Sequence, residues 1–435
     1  MKELSITEKG DYDHAGNEKA TETKESGAPD VFPESRIINW RETSMKSMTL
    51  FGAACLVAAL FVAEPQADAQ PANLAGRHVK IGCLVPLTGK GAEWGQGAKP
   101  SMEIAVEEIN AKGGIGGVPI ELICYDTQTM ESEALKAMSR LADRDKVLAI
   151  SGPCFSGEFE TIAPQLDERF KTVIDSYCSA KPGLSAMSKW AFRNTLTSDK
   201  QLKPAVDAWL KEYKIKKVVI IYDAEDAVSK GEGAVVLPKL FQEHNVQILD
   251  SLTYRTNDTD YSAQVTKAKA LGAEGIALGA CYQNAAAIAK EMQKQGFSVP
   301  IIGGACAGAP GYIEIAGKAA EGTYMSTAAW LEEPRPEVQA YVNKIRAKMG
   351  GALPPYSGPR SYDIIYSFKY CFEKAGVTNK PEDLDSDRDK IRQCLGTLKN
   401  FPGVAGPITM DENRDGTGIT AILKVVNGKY VNVAR

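Results

Sequence analysis

Apolar runs and helical patterns alternate along most of the chain, and their order predicts an α/β protein. Val79–Pro86 is a run of the buried-strand type. Ala98–Asn110 places Met102, Ala105, Val106 and Ile109 at helical spacing. Glycines at 113, 114, 116 and 117 mark a turn. Ile120–Cys124, Val147–Ser151 and Thr172–Asp175 read as strands, and Glu131–Arg144 and Phe159–Phe170 as helices. Strand, helix, strand, helix in this order implies a parallel sheet with helices on both faces.

The pattern then restarts. Leu202–Tyr213 reads as a helix, Lys217–Tyr222 as a strand, Glu232–Glu243 as a helix and Gln247–Tyr254 as a strand. Tyr261–Leu271, Gly275–Gly279, Ala285–Gln295 and Ile301–Gly303 continue the alternation. Pro336–Lys348 and Ser361–Ala375 are further helices, and Ile419–Val433 forms a hairpin about Asn427 and Gly428. Two doubly wound sheets in one chain place ligand sites at the carboxyl ends of their strands. If those ends face each other they bound a cleft, and a hinge can close it.

The N-terminal 69 residues break the pattern. Residues 1–44 are charged, polar and aperiodic, which is the composition of a disordered extension. A basic Met45-Lys46, an apolar run from Met48 to Ala63 and Ala67-Asp68-Ala69 follow, which is the layout of a cleaved signal peptide over 45–69. Translation is expected to begin at Met45. A membrane anchor is the alternative, but the apolar run is short for a span.

Composition adds exclusions. With 44% hydrophobic and 24% charged residues the chain is globular in type. No basic stripe points to nucleic acid. Residues 1–69 hold 7 basic and 12 acidic residues, so 44 basic and 43 acidic residues remain, and long-range steering of a charged ligand is weak. His14, His78 and His244 all lie away from strand ends, which disfavours a Ser-His-Asp triad or a histidine zinc site. Asp411-x-Asn413-x-Asp415-Gly416 starts like a calcium loop, but its twelfth position is Ile422. A hairpin turn is the expectation there. No cofactor, metal or catalytic residue is expected.

The segments VKIGCLVPLTGKGAEWGQG, AVEEINAKGGIGG and VLAISGPCFSG resemble the leucine/isoleucine/valine-binding branch of the periplasmic binding proteins. Pro182-Gly183-Leu184-Ser185, AEGIALGACY, IIGGACAGA and GPITMDENRDGTG extend the resemblance over about residues 77–433. It implies a type I fold of two doubly wound lobes joined by three hinge strands. Lobe one would take 77–198 plus 329–417, and lobe two 199–328 plus 418–435. It also implies a monomeric, periplasmic receptor that captures a small organic ligand. The receptor would deliver it to the membrane permease and ATPase of an ABC importer. A sensor for a small amide or amino acid that signals to a partner is the competing reading. An enzyme using the cleft is disfavoured, because no base accompanies Ser156.

Ser156 is the leading site residue: a hydroxyl at a helix start after a strand, where the resemblance implies a ligand carboxylate. A plain N-cap is the alternative. Phe155 and Gly157 flank it. The next strand end brings Cys178, Ser179 and Ala180, where the family's threonine is missing and Ser179 is a candidate replacement. Trp94, in the loop after the first strand, and Tyr282 on lobe two are candidate aromatic walls. Ala305 stands where the family's amino-acid receptors carry an acid for the ligand ammonium, and Asp226–Gly231 replaces a Tyr-Gly. An ammonium without a partner in a closed cleft is costly. The expected ligand is therefore an aromatic or aliphatic acid lacking an α-amino group, with Lys230 or Arg360 adding positive charge.

Eight cysteines follow Cys55, an even number that suits an oxidising compartment. Cys154, Cys178, Cys281 and Cys306 fall just after strands. They read as two disulfides (154–178 and 281–306), as a soft-metal site or, preferred slightly, as small buried residues. Cys371 and Cys394 could also pair.

Overall fold

The computed structural model describes residues 74–434. The extension 1–44 and the leader 45–69 lie outside the described residues. Two sheets organise the rest. The first has the order β2-β1-β3-β4-β5 and is parallel throughout. Its strands are β1 (Val79–Val85), β2 (Ile120–Asp126), β3 (Ala149–Ser151), β4 (Val173–Ser176) and β5 (Ala191–Arg193). In β1 every residue but Lys80 is buried, as both faces of a parallel sheet are covered by helices.

The second sheet has five parallel strands: β6 (Lys217–Asp223), β7 (Gln247–Tyr254), β8 (Gly275–Gly279), β9 (Ile301–Gly303) and β10 (Tyr324–Thr327). A short hairpin, β11 (Thr409–Met410) with β12 (Gly416–Thr417), lies outside it. β13 (Ala421–Val426) and β14 (Lys429–Asn432) then complete the second sheet antiparallel, beside β10. The turn between them uses Asn427 and Gly428 at φ 52° and 70°, the left-handed pair a two-residue hairpin needs.

The chain crosses between the sheets three times: after β5, after β10 and before β13. The helices Pro336–Lys348, Ser357–Lys374 and Leu384–Leu395 return to the first sheet's side, where Ser357–Lys374 packs along Ala92–Ala111. The helix Ser198–Tyr213 packs on β10 and β13. The result is the two-lobed, doubly wound α/β fold that the alternation predicts.

Three expectations are corrected. The helix after β1 starts at Ala92, not Ala98, so Trp94 sits in its first turn rather than in a loop. Its glycines are close-contact residues, not breakers: a Cβ on Gly95 would fall 2.2 Å from the Pro86 carbonyl oxygen. The cysteines form four disulfides, Cys83–Cys124, Cys154–Cys178, Cys281–Cys306 and Cys371–Cys394, so the preference for unpaired buried thiols fails. Arg360 is buried and donates to the Ala328 carbonyl at 2.6 and 3.0 Å, so it braces a crossing and adds no charge to the cleft.

Asp411–Asp415 forms the turn of the β11–β12 hairpin: Asp411 Oδ1 accepts the amides of Asn413 and Asp415, each at 2.9 Å.

Candidate functional site

β3 and β4 end side by side, and the loops after them are tied together. Ser176 Oγ donates to the Pro153 carbonyl at 2.6 Å and Ser179 Oγ to the Cys154 carbonyl at 2.8 Å. The Cys154–Cys178 disulfide joins the same two loops covalently. Ser156 opens the helix Ser156–Ile162, and Phe155 precedes it with extended backbone. Ser156 Oγ accepts the Lys181 amide at 3.2 Å. A hydroxyl keeps its own O–H to donate. The first-turn amides of such a helix have no carbonyl four residues back to bond.

These loops wall a small cavity between the lobes. Seven lining residues belong to the first sheet's side: Trp94, Cys154, Phe155, Ser156, Cys178, Ala180 and Tyr356. The second side gives two, Val228 and Cys306. No lining side chain is charged. Trp94 and Tyr356 meet edge to face, 4.9 Å between centroids. Tyr356 also donates to the Cys178 carbonyl at 3.2 Å. The Trp94 indole N–H is buried and has no partner. Trp94 and Phe155 also border the wider, open mouth of the cleft.

Of the residues expected at the site, Trp94, Phe155, Ser156, Cys178 and Ala180 come together at the cavity. The remaining four lie beside it. Gly157 faces Glu131, whose Oε1 would be 2.5 Å from a Cβ there. Ser179 spends its hydroxyl on Cys154, so it does not replace the missing threonine. Tyr282 lines the mouth. Ala305 is buried and donates its amide to Glu232 at 2.9 Å. Lys230 is exposed on the helix Ala227–Gly231, and Val228 of that helix reaches the cavity instead.

Val228, Tyr356 and Glu232 were not expected at the site, and Cys306 was expected after its strand without being assigned to the ligand. Glu232 is wholly buried, and burial pushes its carboxyl up to about 8 against the Ala305 hydrogen bond that favours the charged form. The position of Cys306 three residues beyond β9 was the available signal; Tyr356, after Pro354-Pro355, carries none.

Two doubly wound α/β lobes with a cavity between them form the architecture of the type I periplasmic binding proteins. The chain matches the periplasmic binding protein family across residues 78–428 and belongs to that family. It is 29% identical over 317 residues to an amino acid binding protein of Pseudomonas aeruginosa, covering 69% of this chain and 80% of that one. A Leu/Ile/Val-binding protein homologue of Brucella melitensis is 26% identical over 351 residues, covering 79% and 90%. The crystal structure of a leucine-binding protein from Thermotoga maritima superposes with a TM-score of 0.74 at 29% identity, covering 82% of this chain and 98% of that one.

Proposed function

We propose that this protein is the periplasmic solute-binding component of an ABC importer and captures a small carboxylate with an apolar body. It binds rather than catalyses, and the permease and ATPase of the importer are its partners. The supporting observation is the cavity's chemistry: apolar and disulfide walls, no charged lining residue, and the Ser156 hydroxyl with the orphaned Trp94 N–H as donors. A buried donor without a partner is costly, and a ligand acceptor relieves that cost. Apolar walls around so few polar groups suit a compact apolar body such as one aromatic ring or a short branched chain. Seven lining residues against two suggest the order of events. The solute docks on the first lobe, and the second closes over it.

An α-amino acid is the second reading, because Glu232 Oε2 is buried and without a partner. Glu232 is not among the cavity's lining residues, so the simple acid is favoured. A thermal-shift screen of the purified protein against amino acids and organic acids separates the two, since a ligand of the folded state raises apparent stability. Stabilisation by benzoate and 4-methylpentanoate supports the acid; stabilisation by leucine alone supports the amino acid. An absence of any shift across both classes contradicts the solute reading.

A further inference from the structure

The mouth of the cleft carries a set of contacts that the solute reading does not use. Glu93, in the first turn of the helix Ala92–Ala111, lies next to Trp94 in sequence but is not a wall of the inner cavity. Its Oε1 accepts the amide of Gly311 at 3.1 Å, and the Tyr282 ring converges on the same glycine. Gly311 and Tyr282 both belong to the second lobe, in the first turns of the helices Pro310–Ala316 and Tyr282–Lys294. Lys90, on Glu93's side, donates to the Thr256 carbonyl across the same gap.

Gly311 carries an independent sign of this arrangement. A Cβ there would fall 2.6 Å from Glu93 Oε2 and 2.8 Å from the Tyr282 ring. The glycine is what lets the carboxylate and the ring close on that backbone.

We infer that Glu93 is a positioning residue that sets the lobe-closure equilibrium, clasping the second lobe at the mouth of the cleft without touching the solute. A hydrogen bond between a carboxylate of one lobe and a helix amide of the other can form only when the lobes are closed. It therefore adds to the closed state alone and raises apparent solute affinity by the fraction of molecules already closed. Burial between the lobes raises the Glu93 carboxyl, and Glu314 adds to the rise, so the clasp works against a desolvation cost. Its net effect is that of one charge-assisted hydrogen bond. The inference rests on reading the cleft as a solute site, but its test needs no solute.

The test is small-angle scattering and amide hydrogen exchange on the full protein without added solute, comparing wild type with Glu93→Ala and Gly311→Ala. Each variant first has its melting temperature checked, and each is read against the wild type. Either substitution is expected to lower the closed-to-open ratio about tenfold, the scale of a hydrogen bond to a charged group. The radius of gyration rises, and protection drops at the amides of Gly311 and Tyr312 while β1 stays protected. Coincident scattering curves and unchanged protection in Glu93→Ala overturn the inference. So does a Gly311→Ala that stays closed while Glu93→Ala opens. An opened Glu93→Ala in a protein that binds no screened solute leaves the clasp standing and removes only the solute assignment.

Discussion

Asp415 and Arg193 meet in near-complete burial: one carboxylate oxygen takes Nη2 at 2.7 Å and Nε at 2.9 Å. Asp415 sits just before β12 and Arg193 ends β5, so the pair joins two of the segments that lead from one lobe to the other. Arg193 Nη1 also donates to the carbonyls of Lys181 at 2.6 Å and Ser179 at 3.2 Å. The same guanidinium therefore holds the hinge and the loop that brings Ala180 to the cavity. Breaking a buried pair leaves an uncompensated charge, which costs about 3–5 kcal/mol. Asp415→Ala is expected to lose that much in urea unfolding, with a loss under 1 kcal/mol contradicting the assigned role of the pair.

Four buried acids set the pH dependence of stability. Burial pushes Glu232 and Asp175 up to about 8, and Glu158 and Asp363 up to about 7. For each, the folded pKa exceeds the unfolded one, so folding takes up protons between the two values. Their stability is fully present below the unfolded carboxylate range and is lost as pH rises through about 7 and about 8. Other carboxylates, Glu108 and Asp126 among them, are lowered by hydrogen bonds that outweigh desolvation and work the opposite way in acid. The melting temperature is expected to peak at mildly acidic pH and fall toward pH ~9. Glu232→Gln should flatten that fall, by a slope of at most about 1.4 kcal/mol per pH unit. A melting temperature that rises from neutral to alkaline pH contradicts the burial argument.

The disulfides make a chemical prediction. Peptide mapping of the unreduced protein is expected to recover four pairs: 83–124, 154–178, 281–306 and 371–394. Removing the pair nearest the cavity, as Cys154→Ala with Cys178→Ala, frees a loop of 24 residues and should cost about 2–4 kcal/mol. Free thiols at these positions would contradict the structure of the site.

Much of this was legible in the chain. Long apolar runs such as Val79–Val85 gave their strands, because a covered parallel sheet writes buried residues in sequence. β5 and β10 were missed: Ala191–Arg193 and Tyr324–Thr327 interrupt their apolar residues with Arg, Ser and Thr, and neither stands out as an apolar run. The Cys83–Cys124 pair was unreadable without register: the two residues face each other across β1 and β2, and nothing local says that those strands adjoin. The site divides the same way. Ser156 and Phe155 were visible because they follow a strand and open a helix. Tyr356 was invisible because it arrives from a segment some 200 residues away and meets Trp94 only through the packing of two helices.

The central claim is that the interlobe cavity holds a carboxylate through Ser156 and needs no ammonium. Calorimetric titration of wild type and Ser156→Ala with benzoate, 4-methylpentanoate and leucine tests it directly. 4-Methylpentanoate is leucine without its amino group, so the pair isolates that single difference. The account predicts that at least one simple acid binds more tightly than leucine, and that Ser156→Ala weakens it roughly tenfold or more, the scale of a hydrogen bond to a charged group. Tight leucine binding with no heat from either acid, or an acid affinity unchanged in Ser156→Ala, would contradict it.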